Sequence, residues 1–196
     1  MGIILSGDST FWRYDPVTMA QEVIALRDIE AGEEISHSCK CCPALASDRQ
    51  ADLRPKDTSL GLTYMLRRRA LEGWGFDCTC ELCTADPKDI EQSDSRRHRL
   101  AQIHEELEQY SLGETYVDDR VEELTYLIEK ESMWPLFTEY YTVAARAYLG
   151  VRRPDKARRY ARIADEAWHA YGGENHDGVD DMRQLWRDIE GAKVTW

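Results

Sequence analysis

No apolar run in the 196-residue sequence approaches the ~20 residues that a membrane-spanning helix needs, so no membrane span is expected. Positive charge is scarce: 25 Lys and Arg stand against 37 Asp and Glu, a net charge of −12. Such a surface repels phosphate backbones. Direct nucleic-acid binding is therefore not expected, and basic protein tails are the more natural partners. The opening Met1-Gly-Ile-Ile-Leu-Ser6 has no basic stretch and too few apolar residues for a secretory signal. It fits the loose Met-Gly-x-x-x-Ser pattern of N-myristoylation, and it also reads as a buried strand end. The five histidines (His37, His98, His104, His169, His176) share no metal-ligand spacing, and His104 and His169 read as residues on helix faces.

Hydrophobic residues are 42% and charged residues 32% of the chain, enough apolar surface for a packed core. Six cysteines without a secretory signal point to a reducing compartment, the nucleus or cytoplasm.

The first third reads as β structure. "TFWRYD" and "AQEVIALRD" are rich in aromatic and β-branched residues, and "DPVT" between them signals a turn, so they predict a hairpin. "IEAGEEIS" predicts a turn at Ala31-Gly32 and a short strand ending near Ser36. Glu33 and Glu34 resemble a paired-carboxylate acid/base site but read better as a turn and strand-edge pair. Residues 37–59 are irregular. "SLGLTYMLRRRALEG" predicts a short helix stopped by Gly73.

Beyond Pro87 the pattern becomes helical. Leu100, Ile103, Leu107 and Tyr110 define a helix over Ser95–Leu112, and Val121, Leu124, Leu127 and Ile128 one over Asp119–Ser132. Pro135 opens a third closed by Gly150, Pro154 opens a fourth, and Gly178–Ile189 forms a fifth. Between residues 136 and 172, Ala144, Ala145, Ala157, Ala161 and Ala164 alternate with Tyr141, Tyr148, Tyr160 and Trp168. Small-against-large packing suits close antiparallel helices. It is compatible with a tetratricopeptide-like (TPR-like) unit or a plain helical bundle, and no clean 34-residue repeat is visible. The basic runs Arg67–Arg69 and Arg96–Arg99 read as solvated helix faces. The expected class is α+β: a small β-rich segment, a cysteine loop, then a mostly helical array.

"GWGFDCTCELCTA" carries the clearest chemistry. Cys78, Cys80 and Cys83 form Cys-x-Cys-x-x-Cys in a loop, a spacing that suits zinc better than disulfides. A structural zinc site needs a fourth ligand, and "SHSCKCC" offers His37, Cys39, Cys41 and Cys42. Three ligands from Cys-x-Cys-Cys alone would strain one tetrahedron.

Taken in order, "FWRYDP…EVIALRDIEAGEEISHS", "RQADLR" and "GWGFDCTCELC" resemble the end of a SET domain followed by its post-SET zinc loop. The likeness is to the SET–MYND-like, fungal-type branch of the protein lysine methyltransferases. It covers residues 9–54 and 73–86. The resemblance implies a knot-like assembly of short sheets that binds S-adenosylmethionine on one face and threads a histone or non-histone lysine from the other. It implies zinc held by the three loop cysteines and a cysteine of an upstream Asn-His-Ser-Cys signature. It places Phe76 on the adenine, beside Trp74, which stands where the family often has tyrosine. The chemistry would be positioning and electrostatics around an in-line methyl transfer.

The departures are specific. "IILSGDST" stands where the signature should precede "FWRYDP", so the fourth zinc ligand and the main cofactor pair are missing from these residues. Ser38-Cys39 replaces a common Ser-Tyr, and residues 55–72 interrupt the run from "RQADLR" to "WGF". The resulting partition is 1–54 as the end of a SET domain, 55–72 as an insertion, 73–93 as the zinc loop and 94–196 as a helical TPR-like domain. The expected function is that of a SET-type methyltransferase family member, inactive as written. The alternative is a non-catalytic, zinc-stabilised helical-repeat module whose tail binds a protein partner.

Overall fold

The computed structural model describes residues 10–15, 17–35, 63–71, 75, 77, 79, 81–109, 112–131 and 137–192. Strands β1 (Thr10–Asp15) and β2 (Ala20–Ala25) pair antiparallel, with Thr10 opposite Ala25 and Asp15 opposite Ala20. This is the expected hairpin. The Asp15 carboxylate accepts the Val17 backbone N–H at 2.8 Å, which closes the turn in the manner of an Asx turn.

The turn at Ala31-Gly32 is also present, with Gly32 at φ 88°. The strand expected after it is not, because Glu33–Ile35 have no ladder. Arg27 gives the physical reason. Its guanidinium bonds the Glu33 carboxylate, and Glu33 Oε2 accepts the Glu30 backbone N–H at 3.0 Å. The segment closes on itself as a loop. Glu33 is thereby a turn-forming residue, while Glu34 is exposed.

The described helices are α1 (Tyr64–Leu71), α2 (Glu81–Thr84), α3 (Pro87–Leu107), α4 (Glu114–Glu131), α5 (Phe137–Gly150), α6 (Pro154–Ala167) and α7 (Asp177–Ala192). The described residues are thus mostly helical with a small two-stranded sheet, compatible with the α+β class. Two helices differ from expectation in their bounds. Helix α3 begins at Pro87 rather than Ser95 and ends at Leu107 rather than Leu112. Helix α4 begins at Glu114 rather than Asp119. The early turns of α3 are polar (Lys88, Asp89, Glu91, Gln92), so apolar spacing gave no sign of them. Proline at the first helical position starts the helix instead. Pro87 needs no N–H partner, and the Asp86 carbonyl accepts the Asp89 and Ile90 N–H groups at 2.9 and 3.1 Å.

Helix α5 is the central element and packs against α3, α4, α6 and α7. Its residues Tyr140–Ala145 are buried in an unbroken run, as suits a helix covered on most sides. Helix α6 shows the core a narrow stripe, Ala157, Ala161 and Ala164, all fully buried. Ala144 and Ala145 of α5 are equally buried, and small residues facing each other let the two axes approach. The tyrosines fill what the alanines leave. Tyr160 stacks on Tyr141 and Tyr148, with ring centroids 5.8 and 5.4 Å apart. Helix α7 adds Val179, Met182, Leu185 and Ile189, each almost fully buried. After Ala167 the chain continues as a π-helical turn, Trp168–Gly172, closed by Gly173 at φ 85°. No described helix is long and apolar enough to cross a membrane.

Candidate functional site

Of the predicted zinc ligands, the structure describes Cys83. It is a half-buried thiol on α2, which packs against α3. Cys78, Cys80, His37, Cys39, Cys41 and Cys42 lie outside the described residues, as do Trp74 and Phe76. The described part of the loop is held from both sides. Arg68 of α1 pairs with Asp77 at 2.5 Å and bonds the Tyr64 hydroxyl at 2.9 Å. The Tyr64 backbone N–H donates to Asp94 of α3 at 2.7 Å. Residues within the 55–72 stretch thus connect the cysteine loop to α3. Among the described residues no three His, Cys, Asp or Glu side chains converge as a metal site. The donor chemistry of the loop still suits zinc, since thiolates in Cys-x-Cys-x-x-Cys are soft and closely spaced, and α2 holds the last of them beside α3.

Two clefts open among the described residues. One, of about 610 Å³, lies between the start of α1 and α3 and is lined by Tyr64, Pro87, Ile90, Asp94 and His98 among others. The second, of about 450 Å³, lies between the hairpin and the π-helical turn, where Arg13, Asp15, Glu22, Gly173, Asn175 and His176 line it.

The second cleft is a joint between distant parts of the chain. Arg13 reaches from β1 to the carbonyl oxygens of His169 and Ala170, at 3.0 and 2.8 Å. These are last-turn carbonyls that a helix end leaves without intrahelical partners, and a cation suits the negative end of the helix. Glu22, directly opposite Arg13 in the hairpin register, orients the guanidinium from below. Asn175 adds a second tie by donating to both oxygens of Asp15 at 3.3 Å. The turn N–H groups, chiefly that of Val17, hold the Asp15 carboxyl below its ordinary range. Glycine suits position 173 because its φ of 85° with ψ of 166° is strained for other residues, and a Cβ there would also stand 3.0 Å from the Arg13 guanidinium carbon.

Behind the joint the π-helical turn reaches the core. Trp168 donates its indole N–H to Thr142 of α5 at 3.1 Å. His176 stacks on its other side, centroids 4.7 Å apart, and its Nδ1 accepts the Gly178 backbone N–H at 3.0 Å. Gly178 packs so closely that an added Cβ would lie 2.5 Å from the indole. His169 Nδ1 lies 2.8 Å from the Asp165 carbonyl, and its Nε2 faces Glu174 at 3.6 Å.

A second polar cluster corrects the reading of Arg96–Arg99 as a solvated face. Arg97 is 2% exposed. It bonds Glu131 of α4 at 2.8 Å and Ser93 at 3.2 Å, while Arg96 takes the other Glu131 oxygen at 2.7 Å. Ser93 also donates to Glu131 at 2.7 Å. Ser93 and Arg97 sit at i and i+4 ahead of Leu100, on the inner face of α3, so helix geometry buries them. Arg99 spans to Glu123 of α4 as well and bonds Glu106 of its own helix.

The sequence reading missed Arg13, Asn175 and Glu131. The hairpin contacts join residues about 160 positions apart and leave no local trace. Glu131 was readable only through its spacing from Val117, Val121, Leu124 and Ile128, which places it on the buried stripe of α4. No protein-family model, curated protein or solved structure matches the chain.

Proposed function

We propose that the chain is the C-terminal part of a SET-type protein lysine methyltransferase, joined to a post-SET zinc loop and a TPR-like helical array. The observation that carries this reading is the order of its motifs: hairpin, GEEI turn, RQADLR, Cys-x-Cys-x-x-Cys loop, helices. The hairpin and the Arg27-pinned turn at Ala31-Gly32 are compatible with it. So is the succession in which α3 touches α5 and α5 touches α7, while α4 and α6 each pack on the helix that follows. That succession is how two-helix units stack in an array. Zinc would be held by Cys78, Cys80 and Cys83 with one of His37, Cys39, Cys41 or Cys42, pinning the loop beside α3. Methyl transfer from S-adenosylmethionine to a protein lysine is the activity that the family implies, with Phe76 and Trp74 beside the adenine. Cobalt(II) substitution tests the zinc set, because thiolate-to-cobalt charge-transfer bands report sulfur ligation. Their absence at saturating cobalt counts against it.

A second reading has its own support. Every apolar side chain of the described core cluster lies between Leu100 and Ile189. The helical array therefore holds its own core, as a partner-binding module would. Expressed alone, residues 87–192 would then fold cooperatively with high helicity by circular dichroism. A non-cooperative melt of that fragment counts against the module.

A further inference from the structure

The π-helical turn Trp168–Gly172 interrupts the α register between α6 and α7. Helix α6 runs α-helically to Ala167, then shifts register, and the Gly173 N–H reaches back to the Trp168 carbonyl at 3.0 Å, an i to i+5 bond. Such turns occur mostly as single insertions within α-helices and are frequent at functional sites. Here the external contact is Arg13, which bonds the carbonyls of His169 and Ala170 inside the turn. The same turn aims Trp168 at Thr142 on one side and at His176 and Gly178 on the other. Its closure leads directly into the first turn of α7, where the His176 N–H bonds the Gly173 carbonyl at 3.1 Å and the Val179 N–H bonds the His176 carbonyl at 2.9 Å.

We propose that hairpin docking and the π-helical turn form one conformational switch. With Arg13 seated on the His169 and Ala170 carbonyls, the turn holds its π register, Trp168 is clasped by His176 and Gly178, and the start of α7 is fixed. With Arg13 withdrawn, residues 168–172 relax toward the α register and the clasp opens. The position of the β-hairpin is thereby transmitted to the core of the helical array. A segment with two discrete hydrogen-bond registers, one of which the hairpin selects, is what such coupling requires. Glu22 tunes the device by orienting Arg13.

Hydrogen exchange on the full chain, read by mass spectrometry, tests it with R13A, R13K and E22Q. In R13A the amides of Gly173, His176 and Val179 should exchange roughly tenfold faster or more, while α3 and α4 keep their protection. R13K keeps the charge but replaces the guanidinium fork, whose Nε and Nη1 serve Glu22 and the two carbonyls separately, by a single nitrogen, so it should move the same amides by a smaller factor, as should E22Q. Unchanged exchange over residues 173–179 in R13A would overturn the proposal. So would an equal rise across α3–α7, which would make Arg13 a general stabiliser. If R13A does not fold, R13K and E22Q decide by the same criterion: a local rise supports the switch, and none overturns it.

Discussion

Arg97 of α3 and Glu131 of α4 form an ion pair of 2.8 Å in which each side chain is only 3% exposed. Ser93 and Arg96 complete the coordination of the carboxylate. Removing one partner of such a pair leaves a buried charge without compensation. Glu131→Ala should therefore destabilise the helical array by about 3–5 kcal/mol, measured by denaturant unfolding. Replacing both partners by apolar residues, as in Arg97→Met with Glu131→Leu, should recover most of the loss. A single-variant cost under about 1 kcal/mol would place the pair in the class of surface ion pairs.

That pair also shows where sequence reading reaches its limit. Helix existence and the apolar stripes were legible, because Leu100, Ile103, Val121, Leu124, Met182 and Leu185 recur at helical spacing and are buried. The alternation of alanine and tyrosine over 136–172 likewise gave the α5–α6 contact. A charged residue is not expected on a buried face, so Arg97 read as solvated and Glu131 drew no attention, although its spacing puts it on the buried stripe of α4. The Arg13 joint depends on a contact 156 residues away. Of the cysteine loop, the motif was legible in sequence and the described structure adds Cys83, Asp77 and their ties to α1 and α3.

The α5–α6 contact has little room. Ala161 is fully buried on the alanine stripe that faces α5. Ala161→Leu would force the helices apart and should cost about 1–3 kcal/mol or more, read as a lower denaturation midpoint. Ala161→Gly should also destabilise, by about 1–2 kcal/mol, through backbone entropy and the loss of a buried methyl.

Two glutamates should respond to acid with opposite signs. Arg99 grips Glu123 through Nε and Nη2 and holds its carboxyl below the ordinary range. The stabilisation from Glu123 is complete above the unfolded-state value and is lost as pH falls through the lowered folded value. Glu123→Gln should flatten the acid limb of the stability profile. Glu139 is pushed up, chiefly by desolvation and against the pull of His104 and His176. There the fold favours the neutral acid, an advantage present below the unfolded value and lost as pH rises through the folded one. Glu139 is exposed by surface area, so solvent screens the effect: Glu139→Gln should raise Tm only slightly at neutral pH, and the gain should vanish in acid. Thermal melts across the acid range check both signs.

The cofactor expectation is equally direct. The Asn-His-Ser-Cys signature is not among these 196 residues. Calorimetry of the purified polypeptide with S-adenosylmethionine should give no binding in the micromolar range. Micromolar binding would mean that other residues of the chain form the cofactor site.

The zinc loop stands at the centre of the account, and native mass spectrometry of the purified chain tests it most directly. The prediction is one tightly held zinc per chain, lost in Cys83→Ser while the helical array stays folded. A folded chain that takes up no zinc when zinc is supplied in excess would contradict it.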